Sequence, residues 1–152
     1  MEDRNAAEGK ERVLIVCVHN SARSQMAEEY FRKYGGDIFE VESAGIEPGT
    51  LNPYVVEVLK EEGIDISEKQ TQSAAALAKQ GRGYEYVITV CSKEAADNCP
   101  IYPSTRARMH WPFDDPSSFP GEGEERLEAT RKVREQIKVK VSSFVERYRE
   151  DA

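Results

Sequence analysis

The sequence predicts an α/β domain built on an open parallel sheet, and three observations carry the prediction. Short apolar runs recur along the chain, and each is followed by a stretch with helical spacing of its apolar residues. The first run, Val13-Leu14-Ile15-Val16, is continuous rather than alternating, as expected of a strand covered on both faces. Strands alternating with helices imply right-handed parallel crossovers that place helices against the sheet. In such sheets ligands bind at the carboxyl ends of the strands.

Residues 1–11 lack apolar periodicity and are expected to form a frayed tail, leaving 12–152 as a single domain. After the strand at 13–16 and a loop, Met26, Ala27, Tyr30, Phe31 and Tyr34 fall on one helical stripe. Gly35-Gly36 end that helix as a C-terminal cap would. Ile38 to Ala44 reads as a second strand closed by Gly45. Asn52-Pro53 reads as an N-cap followed by proline at the first helical position, with Gly63 as the stop. Ser73 to Lys79 suggests a short Ala-rich helix. Tyr86 to Val90 is a third buried strand running straight into Cys91, and Ala107 to Trp111 a weaker fourth. Leu127, Val133, Ile137, Val141, Phe144 and Tyr148 recur at helical spacing and predict a long helix packed on the sheet.

Composition narrows the function. With 39% hydrophobic and 9% aromatic residues the chain carries enough apolar surface for one core. The net charge of −7 argues against nucleic acid or an anionic membrane as the main partner. No run reaches the roughly 18 apolar residues of a membrane span. The opening MEDRNAAEGKER is polar where a signal peptide is apolar, so a cytoplasmic location is expected. Three cysteines are too few, and odd in number, for a disulfide framework in such a protein. They remain candidates for packing residues, metal ligands or catalytic thiols.

The segment Cys17-Val18-His19-Asn20-Ser21-Ala22-Arg23-Ser24 joins a buried strand to a helix N-terminus. Backbone N–H groups of residues 18–22 would converge on a bound oxyanion, helped by the helix dipole. Arg23 would add a bidentate clamp. The same field favours the thiolate of Cys17, and Ser24 is placed to donate a hydrogen bond to it. Asn20 would fix the loop through bonds to the backbone. Cys91 also follows directly on a strand, so both thiols should lie on the same rim. Paired short spacings typical of zinc sites are absent, and no metal or cofactor is expected.

This Cys-x5-Arg-Ser arrangement near the start of an α/β domain resembles the low-molecular-weight protein tyrosine phosphatase fold. The strings HNSARSQMAEEYF, ESAGIEPGTLNP, VITVCSKEAADNCP and HWPFDDP resemble the thioredoxin-coupled arsenate reductases built on that fold. The resemblance covers residues from about 12 to 149. It implies a four-stranded parallel sheet in the order 2-1-3-4, arsenate as substrate, phosphate or sulfate as mimics, thioredoxin as reductant, and a role in arsenic detoxification. Reducing arsenate takes two electrons, which two thiols supply on becoming a disulfide. The implied relay has Cys17 as nucleophile, with Cys91 and then Cys99 resolving. Seven residues separate Cys91 from Cys99, one more than in the best-known relatives. The intervening Ser92 to Pro100 has no strong apolar stripe, so any helix there would be marginal.

The fold's acid is the aspartate before proline, which falls on Asp115, with Asp114 as the runner-up and a capping candidate. Ser117-Ser118 follow where phosphatases of this fold carry aromatic residues, which favours a small inorganic substrate over phosphotyrosine. Trp111 and Phe113 read as core or wall residues, and His110 as a structural hydrogen-bonding partner. His19 is expected to turn its ring away from the loop's centre. Some relatives bind potassium beneath the loop. Asn20, Glu28 and Ser43 match three of its ligand positions, but the fourth, an aspartate there, falls on Gln72.

Overall fold

The computed structural model describes residues 10–81, 83–91 and 104–151. Strand β1 (Glu11–Cys17) leads through a loop to helix α1 (Arg23–Gly35), and β2 (Phe39–Gly45) follows. Helices α2 (Pro53–Lys60) and α3 (Ala74–Lys79) precede β3 (Tyr84–Thr89). Strand β4 (Ser104–His110), a 3-10 turn (Pro116–Ser118) and helix α4 (Gly123–Asp151) complete the chain. The sheet is four-stranded and parallel, in the order β2-β1-β3-β4, as expected.

The central position of β1 explains its uninterrupted apolar run. Val13, Ile15 and Cys17 face one cluster with Met26, Phe31, Phe39, Val41, Ile137 and Val141. Leu14 and Val16 face the other, with Ala44, Ala74, Leu77, Tyr84 and Val87. Alternate side chains point to opposite faces, so a strand covered on both must be apolar at every position. Helices α1, α2 and α4 build the thick layer. Phe31 stacks on Trp111 with ring centroids 6.1 Å apart, and Phe144 meets both edge-on.

Local signals set most boundaries. Asn52 caps α2 by accepting from the N–H groups of Tyr54 at 2.8 Å and Val55 at 3.4 Å. Ser73 caps α3 through a bond from Ala76 N. Gly63, at φ 80°, supplies the left-handed turn after α2. Gly36 does end α1, but with right-handed φ −63°, so the expected glycine cap works without left-handed backbone. Strand β1 begins one residue inside the expected tail: Glu11 N donates to Ile38 O at 3.0 Å, and Tyr148 Oη donates to Glu11 Oε2 at 2.8 Å. Strands β3 and β4 start earlier than the apolar runs alone suggested, because sheet pairing extends past the apolar residues. The expected short helix between Cys91 and Pro100 lies outside the described residues.

Two tyrosines couple this packing to alkaline pH. Burial, together with Glu11, pushes the Tyr148 phenol up to about 12 from an ordinary 10.0. Burial and Glu62 push Tyr30 upward as well. A phenol harder to ionise when folded stabilises fully below its unfolded value, and that contribution is lost as pH rises toward the folded one. The denaturant midpoint should therefore hold to about pH 10 and fall between there and about pH 12. A profile flat through that window would contradict this reading.

Candidate active site

The loop between β1 and α1 is held from behind by its carbonyls. Ile46 N donates to Cys17 O at 3.0 Å, Glu47 N to Val18 O at 2.7 Å, and Gly49 N to His19 O at 3.0 Å. Gln25 Nε2 donates to Asn20 O at 2.9 Å, Asn52 N to Ser21 O at 3.0 Å, and Met26 N to Ala22 O at 3.1 Å. In a planar trans peptide the C=O of one residue and the N–H of the next point opposite ways. Turning these carbonyls outward therefore turns the following N–H groups inward. Among the described residues, nothing accepts from the main-chain N–H of residues 18–22.

The supporting segment approaches so closely that only glycine fits at position 45. A Cβ there would lie 2.7 Å from the His19 carbonyl carbon and 2.8 Å from both Asn20 N and Val18 O. Asn20 itself sits at φ 56°, a left-handed conformation that asparagine tolerates better than most residues. It is fully buried, and its side chain is saturated. Its Nδ2 donates to Ser24 Oγ at 2.7 Å and Ser43 Oγ at 3.0 Å. Its Oδ1 accepts from Gln72 N at 2.9 Å and Gln25 Nε2 at 3.1 Å. Asn20 was expected to bond the backbone, but only Gln72 N among its four side-chain partners is a backbone group. Sequence reasoning missed Gln25, whose position inside a helix gave no local signal.

Ser24 differs from expectation. Its hydroxyl accepts from Asn20 and donates to none of the described residues, so the bond to Cys17 is not formed. Arg23 is nearly covered, at 6% exposure. Its Nη1 donates to Phe113 O at 3.1 Å, its Nη2 stands 3.6 Å from Asp115 Oδ2, and its buried Nε has no partner. Inward N–H groups and an unpartnered guanidinium nitrogen leave a set of donors short of an acceptor, which is the electrostatic shape of an oxyanion site.

Cys17 ends β1, and Cys91 lies two residues past the end of the adjacent strand β3. Val90 N donates to Val16 O at 2.9 Å, one residue before each cysteine. Both thiols are buried in the same apolar cluster. Cys99 lies outside the described residues. An open groove of about 600 Å³ beside the loop is lined by Arg23, Phe113, Asp114, Asp115, Ser118 and Gln136. Capping falls to Asp115, not Asp114: Asp115 Oδ1 accepts from Ser117 N at 3.0 Å. Ser117 and Ser118 thus fold into the turn that holds Asp115 over the groove. His19 turns its Nδ1 to Glu47 O at 2.8 Å, away from the loop's centre, and His110 Nδ1 meets Thr89 Oγ1 at 2.8 Å.

The potassium ligand positions are brought together but do not fit an ion. Glu28 Oε1 already receives Lys69 Nζ at 2.9 Å and the Ser43 hydroxyl. Gln72 turns its Nε2 to Ser43 O at 3.0 Å, so it presents a donor rather than a ligand oxygen. Lys69 is a residue the sequence gave no reason to single out. Among the described residues no cluster of three or more His, Cys, Asp or Glu could hold a metal.

Residues 12–152 match the family described as low molecular weight phosphotyrosine protein phosphatase. The chain belongs to that family. It is 42% identical to an arsenate reductase of Halalkalibacterium halodurans, over 90% of this chain and 96% of the relative. It is 40% identical to an arsenate reductase of Bacillus subtilis, over 88% and 94%. A solved thioredoxin-dependent arsenate reductase of Corynebacterium glutamicum superposes with a TM-score of 0.71 at 27% identity, covering 99% of this chain and 67% of the other.

The contact at Gly45 gives a direct test of this scaffold. Gly45→Ala should lower stability by about 1–3 kcal/mol, since the methyl group meets backbone that has no rotamer to escape into. It should also weaken phosphate binding at least about tenfold by displacing the inward N–H groups. Titration calorimetry with phosphate checks the second effect, and unchanged affinity would show that the loop does not depend on this packing.

Proposed function

We propose that this chain is an arsenate reductase that works through a three-cysteine relay and is recycled by thioredoxin, serving arsenic detoxification. The observation that carries the reading is the pairing of an oxyanion-shaped loop with a second thiol just past the end of the adjacent strand. Relatives named arsenate reductase at about 40% identity support it, and the Corynebacterium relative is thioredoxin-dependent by name.

In this reading the N–H groups of residues 18–22 and the guanidinium of Arg23 hold arsenate with its arsenic over Cys17 Sγ. The Cys17 thiolate attacks arsenic, and Asp115 protonates the departing hydroxyl, which leaves as water. Ser24, whose oxygen accepts from Asn20, has its hydroxyl proton free among the described residues to turn to the thiolate once it forms. The Cys91 thiolate then attacks Cys17 Sγ. The electron pair of the sulfur–arsenic bond passes to arsenic, arsenite leaves, and a Cys17–Cys91 disulfide remains. Cys99 attacks Cys91 Sγ, frees Cys17, and gives a Cys91–Cys99 disulfide for thioredoxin to reduce.

Coupled to thioredoxin, thioredoxin reductase and NADPH, the wild type should oxidise NADPH in proportion to arsenate, and Cys91→Ser should abolish this. Hydrolysis of a phosphate ester that survives Cys91→Ser, with no arsenate turnover by the wild type, would identify a phosphatase instead. Cys99→Ser should release one arsenite per protein and then stop. Sustained thioredoxin-driven turnover by that variant would remove Cys99 from the relay.

A further inference from the structure

We propose that Lys69 is the built-in cation of this site, a positioning residue that anchors and polarises the hydrogen-bond chain beneath the anion loop and makes the site independent of potassium. The proposal rests on Cys17 being the nucleophile and goes beyond it. The chain begins at a nearly buried carboxylate, Glu28. Lys69 Nζ lies 2.9 Å from Glu28 Oε1 and 3.0 Å from Glu29 Oε2. Arg32 holds the other oxygen of Glu28 from a half-exposed position. Lys69 is the cation on the oxygen that Ser43 uses.

Direction follows from donor and acceptor chemistry. A carboxylate only accepts, so Ser43 must give its single proton to Glu28. Ser43 Oγ is thereby left to accept from Asn20 Nδ2, at 3.0 Å. The Asn20 amide cannot turn over, because its Oδ1 is fixed by Gln72 N and Gln25 Nε2. Its other Nδ2 proton therefore goes to Ser24 Oγ at 2.7 Å. Ser24 is left with its own proton to direct into the loop. Without the ammonium, the Glu28 oxygen would lose its counter-charge beside Ser43, and the chain, its direction unchanged, would be anchored and polarised less firmly at that end. The same contact fills the place an added ion would take, since the Glu28 and Asn20 oxygens are already engaged.

The test follows the alkylation rate of Cys17 by iodoacetamide at neutral pH, located by peptide mass spectrometry. It needs neither arsenate nor thioredoxin. Lys69→Met should slow alkylation by about three- to tenfold, and Lys69→Arg should restore most of the rate. In a Ser24→Ala background the same Lys69→Met change should shrink below about twofold, since residues acting through one chain are not additive. Glu28→Gln, which puts a donor where Ser43 needs an acceptor, should slow the wild-type rate similarly and covers the case of a Lys69→Met protein that does not fold. Exchanging sodium for potassium at constant ionic strength should leave the wild type unchanged.

An equal Lys69→Met effect with and without Ser24, no effect of either substitution, or stimulation of the wild type by potassium would each overturn the proposal. A wild-type Cys17 no more reactive than an ordinary thiol would overturn the nucleophile reading, and this proposal with it.

Discussion

The site depends on one constraint: six consecutive carbonyls, from Cys17 to Ala22, are all claimed from outside the loop. Each such bond is worth only about 1 kcal/mol net. Their collective effect is geometric, because a peptide whose oxygen is fixed outward has its hydrogen fixed inward. The loop is thus built in the shape its ligand requires, before any ligand is present. Preorganised donors of this kind stabilise developing negative charge without reorganising as it forms.

Much else in the structure serves that constraint. Gly45 lets β2 run on under the loop, with its N–H bonded to Gln72 O at 2.8 Å so that the supporting segment is itself tied down. Asn52 closes the far end twice, capping α2 with its side chain and bonding Ser21 O with its backbone. The buried polar residues Asn20, Ser24, Gln25 and Ser43 stand in what would otherwise be core. Burying them is tolerable because Asn20 bonds Ser24, Gln25 and Ser43, leaving only Gln25 Oε1 of these side chains without a partner among the described residues. A network half as complete would cost more than an apolar core.

The fold was legible because its signals are local or periodic. The apolar run of β1 reports burial on both faces, and Asn52-Pro53 reports a helix start within two residues. The loop was legible because Cys17, Arg23 and the strand-to-helix junction lie in one short string. Gly45 was read only as the end of a strand, since its close approach to His19 involves residues 26 positions away. Lys69 reaches Glu28 across 41 positions from a polar stretch like any other on the surface. Asp115 was singled out through the resemblance, but its capping role depends on how the 3-10 turn folds, and composition cannot distinguish it from Asp114.

Anion recognition by itself does not choose between hydrolysing an ester and reducing arsenate, because both oxyanions present the same charge and tetrahedral shape to the N–H groups. The choice falls to whatever reaches Cys17 Sγ next. A hydrolase must bring water to that point. Here Cys17 and Cys91 share an apolar cluster with Val90 and Trp111, and Cys91 is fully buried. Water is scarce in such surroundings, whereas a thiol is a small group that packs there readily. In the proposed relay a covalent intermediate on Cys17 would meet sulfur from this apolar side, while water reaches the loop from the open groove beside Arg23 and Asp115. In that relay the position of Cys91, rather than any feature of the loop, would turn a phosphatase scaffold toward reduction.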